Sequence, residues 1–174
     1  ATKGEPNALL SQYLAGQLLC LPVLMPMLAP TINSYKRLAG GDWAPRTATW
    51  GHDNRTAALR LISLTEQSAR LEHRVPGADA HPHLAMAACL AAGLYGIEHK
   101  LSLEQAATLD SGYGGPELPL PLKEATAAME ASDLPKQLFG ERFVSHFIQT
   151  RKWEVAQYEK QVGEWERKRY MEII

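Results

Sequence analysis

Arg70, Glu72 and Arg74, in the run Arg70-Leu71-Glu72-His73-Arg74, are spaced to act together. In a β-strand alternate side chains share a face, so these three point one way and Leu71, His73 and Val75 the other. Three charges along one strand face depart from the usual half-apolar pattern. Two guanidiniums flanking one carboxylate suit an anion and a metal ion together. Upstream stand Arg55, in Asp53-Asn54-Arg55-Thr56, and Arg60; further back lies Tyr35-Lys36-Arg37. Arg37, Arg55, Arg60, Arg70 and Arg74, read as lying on consecutive strands and turns, predict a pocket for phosphates and carboxylates.

The elements that must position them follow from periodicity. Leu10, Leu14, Leu18 and Leu21 mark a helix from about Asn7 to Leu21. Pro22, Pro26 and Pro30 then predict a short helix and an extended exit. Leu38 to Pro45, with Gly40, Gly41 and Trp43, reads as a mobile loop. Strands are expected over Thr47 to Gly51, Thr56 to Ser63 and Ala69 to Val75. Pro82 opens a helix whose body, Leu84 to Gly96, is rich in alanine and allows close approach to a sheet or another helix. Ser102 and Gln105 suggest a capping box. Asp110 to Leu120 reads as a Gly/Pro-rich loop. Helices are expected over Leu122 to Ala131, Leu134 to Phe139 and Glu141 to about Val162, with Phe143, Phe147 and Thr150 on one stripe. Helix, strands, then helices indicate an α+β fold, a small antiparallel sheet followed by packed helices.

The 174 residues fit one domain, and 45% hydrophobic content suffices for a core. A net charge of −1 gives no sign of a nucleic-acid partner, so the arginine cluster is a local feature. Cys20 and Cys89 sit in apolar helical stretches and read as buried free thiols, which suits a reducing compartment. The apolar run Leu18 to Leu28 is proline-broken and short for a bilayer, and no signal peptide is legible. No membrane partner and a cytoplasmic location are therefore the expectations. The chain opens without an initiator methionine and reads as part of a longer one.

The motifs together resemble the C-terminal half of the catalytic domain of the glutamine synthetase family. The resemblance is carried by Asn33-Ser34-Tyr35-Lys36-Arg37-Leu38, by Trp50-Gly51 leading into Asn54-Arg55-Thr56-Ala57-Ala58-Leu59-Arg60, by Arg70 to Arg74, and by Ala87 to Glu98. It implies ATP-dependent transfer of a phosphoryl group to the side-chain carboxylate of glutamate, followed by attack of ammonia or an amine. It implies that Arg37 and Arg74 hold glutamate, that Arg55 stabilises the transferring phosphoryl group, and that Arg60 and Arg70 bind ATP. Glu72 would be a ligand of Mg²⁺ or Mn²⁺, hard cations that prefer oxygen donors. The family's other metal ligands and its small β-grasp domain would precede this segment, so residues 1–174 are expected to be a partial catalytic domain. A homo-oligomeric ring would be its full-length form.

Two departures matter. Where the family carries a glutamate just before an Ala-Pro pair, this chain has Trp43, with Asp42 one residue earlier. An indole offers an apolar or cation–π surface to an alkylammonium group. That points to the glutamate–amine ligase branch, such as γ-glutamylpolyamine synthetases. His81-Pro82-His83 replaces the family's Asn-Pro-Tyr. Plainer readings stand beside these. Glu72 could serve only as a salt-bridge partner of Arg70 and Arg74, and Trp43 could pack under its loop. His81 and His83 read as surface residues rather than zinc ligands. Gly112 to Gly115 reads as a flexible loop, and Tyr113 is not taken as a regulatory site. The tail mixes Arg167, Lys168 and Arg169 with Glu164 and Glu166 into a solvated helix. The rival functions are an ammonia-using glutamine synthetase and a truncated, non-catalytic paralogue acting in binding or assembly.

Overall fold

A computed structural model describes residues 6–40, 43–62, 67–104, 107–108, 114–171 and 173. The expected Ser102–Gln105 cap, the end of the second strand at Ser63, Asp42, and Gly112 and Tyr113 of the Gly112–Gly115 run fall at or across residues outside these ranges. Leu101 to Glu104, within them, is not helical.

The chain is α+β, with a three-stranded sheet between helices. Helix α1 (Ala8–Leu28) starts at Asn7, whose side-chain oxygen accepts from the Leu10 amide at 2.9 Å. Contrary to expectation, it runs unbroken through Pro22 and Pro26. Each proline removes one backbone hydrogen bond. Leu21, Leu24, Met25, Met27 and Leu28 are all within 2% of full burial, and that burial holds the second half helical. The resulting 21 residues are long and apolar enough to cross a bilayer, which corrects the shorter estimate; here they form the central helix of the core.

Helix α2 (Ile32–Gly40) replaces the expected extended exit and carries Arg37. Strands β1 (Trp50–His52), β2 (Leu59–Ile62) and β3 (Arg70–His73) lie in that order. β2 and β3 are antiparallel, as expected, but β1 pairs with β2 in parallel, so the sheet is mixed. Leu14, Trp50, Leu59 and Leu61 form a buried cluster under the sheet, with Leu71 packed against it. Helix α3 (Pro82–Glu98) follows, then α4 (Leu122–Ala131), α5 (Leu134–Phe139) and α6 (Glu141–Glu159). α6 ends before Val162. A separate helix, α7 (Glu164–Tyr170), begins after Gly163, whose amide donates to Glu166 Oε2 at 2.7 Å. Cys20 and Cys89 are free, and burial pushes their thiols up to about 12 and about 11.

The alanine-rich α3 packs on α1, as its small residues foretold. A Cβ on Gly16 would stand 2.2 Å from the Ala92 carbonyl oxygen and 2.7 Å from the Gly96 backbone. Backbone on both sides cannot give way. Gly16→Ala is therefore expected to destabilise the chain by about 2 kcal/mol, despite alanine's better helix propensity. A urea midpoint shift in that direction is the check; an unchanged or higher midpoint would refute the close crossing.

Candidate active site on the outer face of the sheet

β2 and β3 pair so that Arg60 stands opposite Glu72, while Leu59 faces His73 and Leu61 faces Leu71 on the buried side. The alternation thus puts the charged residues on one surface. Glu72 spaces two guanidiniums: its Oε2 accepts from Arg60 Nη1 at 2.9 Å and its Oε1 from Arg74 Nη1 at 2.8 Å. Arg60 also donates through Nε to Asp53 Oδ1 at 3.0 Å, and its Nη2 pairs with the same oxygen. Asp53 holds a positive φ of 51°, a conformation that aspartate tolerates in turns. The chain Asp53–Arg60–Glu72–Arg74 alternates in charge along the face.

Partial burial pushes the Glu72 carboxyl upward, but the hydrogen bond from Arg60 and the charges of Arg74 and Arg60 outweigh it. It ends below the usual carboxylate range. Hydrogen bonds to Asp53 and Glu72 raise Arg60 further, so it stays protonated. These are partly exposed pairs. Their worth lies in fixed geometry rather than in large stabilisation.

Arg74 gathers the surrounding loops. Its Nε donates to the Arg55 carbonyl at 2.8 Å and its Nη2 to the Trp43 carbonyl at 3.3 Å. Asn54, nearly buried, holds the Arg55 turn. Its Oδ1 accepts from the Thr56 amide at 2.9 Å and the Thr56 hydroxyl at 2.7 Å, while its Nδ2 donates to Thr108. The Arg55 side chain is exposed to solvent. Arg37, one helix away, donates through Nη2 to the Val75 carbonyl. Burial lowers its pKa, Asp79 opposes that, and neighbouring Arg74 adds to it.

The structure therefore brings Arg60, Glu72 and Arg74 into direct contact and sets Arg37 within electrostatic range of Arg74. Arg55 joins through its backbone. Arg70 lies on the same strand but is exposed, and its Nη1 donates to the Ser68 carbonyl at 2.8 Å. Trp43 has a positive φ of 71°, uncommon for so bulky a residue, and the residue is 60% exposed, so it does not pack under the loop. Two participants were missed in the sequence, Asp53 and Asp79. A turn aspartate before Asn54 was a faint signal for the first; for the second there was none.

Glu72 is the one carboxylate that the resemblance assigns to a metal. Among the described residues no group of three or more His, Cys, Asp or Glu side chains is gathered for a metal ion, and both oxygens of Glu72 are engaged by guanidiniums. His81 and His83 are exposed, with ring centroids 5.4 Å apart and no third ligand among the described residues.

Comparison with known proteins supplies the lineage. Residues 1–170 match the family model described as glutamine synthetase, catalytic domain. The chain is 46% identical over 181 aligned positions to type-1 glutamine synthetase 2 of Dictyostelium discoideum, covering 99% of this chain and 34% of that protein. It is 40% identical to a glutamate–isopropylamine ligase of a Pseudomonas species, covering 93% of this chain and 36% of that one. A solved GmaS/ADP complex superposes with a TM-score of 0.81 at 33% identity, covering 97% of this chain and 42% of the other. The chain thus spans about a third of the length of these curated relatives. With motif, fold and family model in agreement, the chain belongs to the glutamine synthetase family, to the C-terminal region of its catalytic domain.

Proposed function

We propose that this chain forms part of an ATP-dependent ligase that joins glutamate to an amine through a γ-glutamyl phosphate. The observation that carries the reading is the Arg60–Glu72–Arg74 contact on one sheet face, with Arg37 beside it. In the first step a side-chain carboxylate oxygen of glutamate attacks the γ-phosphorus of ATP, and ADP leaves with the bridging oxygen's electrons. In the second the amine nitrogen attacks the acyl carbon, inorganic phosphate departs, and the nitrogen loses a proton. Both steps concentrate negative charge on oxygens, which fixed guanidiniums stabilise without reorganising.

Arg37 and Arg74 hold glutamate by its carboxylates, which suit the planar fork of a guanidinium. Arg60 and Arg70 bind ATP phosphates, and Arg55, on a turn pinned by Asn54, meets the transferring group. Glu72 keeps Arg60 and Arg74 apart and aimed. One carboxylate falls short of a metal centre on its own, and a divalent ion held by Glu72 would need further donors beyond the described residues. Trp43 presents its indole toward solvent beside the Arg74 contact and suits an alkylammonium substrate.

A second reading, with ammonia as the amine, has the Dictyostelium glutamine synthetase relative in its favour. Phosphate release from ATP and glutamate, assayed with ammonium, ethanolamine, isopropylamine and putrescine on the whole protein that carries this chain, separates the two. An alkylamine is expected to give the highest kcat/KM. Trp43→Glu, by adding a negative charge, is expected to shift the ratio at least tenfold toward ammonium. Ammonium as best substrate in the unaltered protein selects the second reading. Silence with every amine defeats both and leaves the non-catalytic paralogue.

A further inference from the structure

Asp79 lies in the connection between β3 and α3. Its Oδ2 accepts from the Thr31 hydroxyl at 2.6 Å and from the Ser34 hydroxyl at 2.6 Å. Those two residues already cap α2 reciprocally: the Thr31 amide donates to Ser34 Oγ at 3.1 Å, and the Ser34 amide to Thr31 Oγ1 at 3.2 Å. α2 has no acidic residue in its own first turn. Asp79 supplies the missing negative charge there from far along the chain. Burial alone would raise its carboxyl; the hydrogen bonds from Ser34 and Thr31 lead the effects that bring it below the usual range, and the charge of Arg37 adds to them.

The same carboxylate faces Arg37, one helical turn beyond Ser34. A Cβ built on Gly77 would stand 2.6 Å from Asp79 Oδ1 and 3.2 Å from Arg37 Nε, so acid, guanidinium and loop backbone crowd one small space. The guanidinium also reaches the Val75 carbonyl, just past the strand that carries Glu72, with Arg74 between. The loop from Val75 to Asp79 therefore grips both the start of α2 and the tip of Arg37.

We propose that Asp79 is the positioning residue for Arg37: by holding the Thr31 and Ser34 hydroxyls and facing the guanidinium, it sets where Arg37 stands relative to Arg74. The inference rests on the reading of Arg37 and Arg74 as the pair that holds glutamate. Asp79 does not itself meet the substrate. Its effect is confined to the geometry and charge of one of the two guanidiniums, and so to glutamate rather than ATP.

The test is steady-state kinetics on the whole protein with Asp79→Asn, which keeps the shape and one acceptor oxygen but loses the charge. The glutamate KM is expected to rise about tenfold, with the ATP KM and kcat within threefold of the original. A merely structural loss would lower kcat with the folded fraction and leave the glutamate KM alone. In an Arg37→Lys background the same replacement is expected to add less than threefold, because it acts through Arg37. A glutamate KM within twofold of the original, or a full tenfold rise in the Arg37→Lys background, overturns the inference while leaving the ligase reading intact. No glutamate-dependent phosphate release from the unaltered protein overturns the ligase reading and this inference with it.

Discussion

Arg55→Ala is expected to slow phosphoryl transfer by about 10³- to 10⁵-fold, the range for a lost arginine that meets the transferring phosphoryl group. The same replacement is expected to leave folding stability within about 0.5 kcal/mol, as for other solvent-facing side chains. The two halves rest on different observations. The Arg55 side chain is exposed, while its backbone is fixed from both sides. Its carbonyl accepts from Arg74 at 2.8 Å, and the preceding Asn54 ties the turn to Thr56 and Thr108. A charged side chain on a rigid turn, unspent on the fold, is arranged for a ligand. Alanine keeps the backbone contacts and removes only the charge. Single-turnover phosphate release and a thermal melt on the same preparation give both numbers. Near-normal transfer with an unchanged melt would remove Arg55 from the mechanism.

The second large effect concerns acid. His73 lies on β3 between Glu72 and Arg74 but on the buried side, where its Nδ1 is enclosed without a hydrogen-bond partner. Gln17, Leu21, Leu24, Leu28, Ala88, Cys89 and Ala92 line the small cavity it shares. Burial pushes the imidazole down to about 4 from an ordinary 6.5. The folded chain keeps His73 neutral while the unfolded chain protonates it, so the unfolded state binds the extra proton. Stability from this group is complete above pH 6.5 and is lost as the pH falls from there through about 4. The loss amounts to about 3 kcal/mol. Urea unfolding at pH 7.5, 6, 5 and 4 measures it, with His73→Leu as the reference that lacks the titration. The gap between the two stability curves is expected to change across that window. Parallel curves would show that the imidazole is not held neutral.

How much was legible from the residues depended on the range of the interaction. The period of two along Arg70 to Arg74 placed Glu72 and Arg74 together, and the structure keeps them 2.8 Å apart. The same period put Leu71 and His73 on the inner side. The expected limits of α4 and α5 agree with those observed, because each is a short stretch between residues that start or stop helices, Pro121 and Ser132 around α4 and Asp133 and Gly140 around α5. These are local signals, carried within a few residues of the chain.

Arg37 was expected on a strand or turn and stands on α2. The helix start is capped by Thr31 and Ser34 but secured by Asp79, whose hydrogen bond to Ser34 spans 45 positions. α1 continues through two prolines because α3 and α4 bury its second half. β1 joins in parallel, and its Trp50 packs with Leu59 and Leu61 of β2 against Leu14, a residue far back in the chain. Residue order and side-chain period settled the charge pattern and the family, since both are written along the chain. Partner choice for each guanidinium, and which of the five arginines touch, awaited the folded state. Those contacts join residues distant in sequence, and a backbone must be closed before their charges can meet.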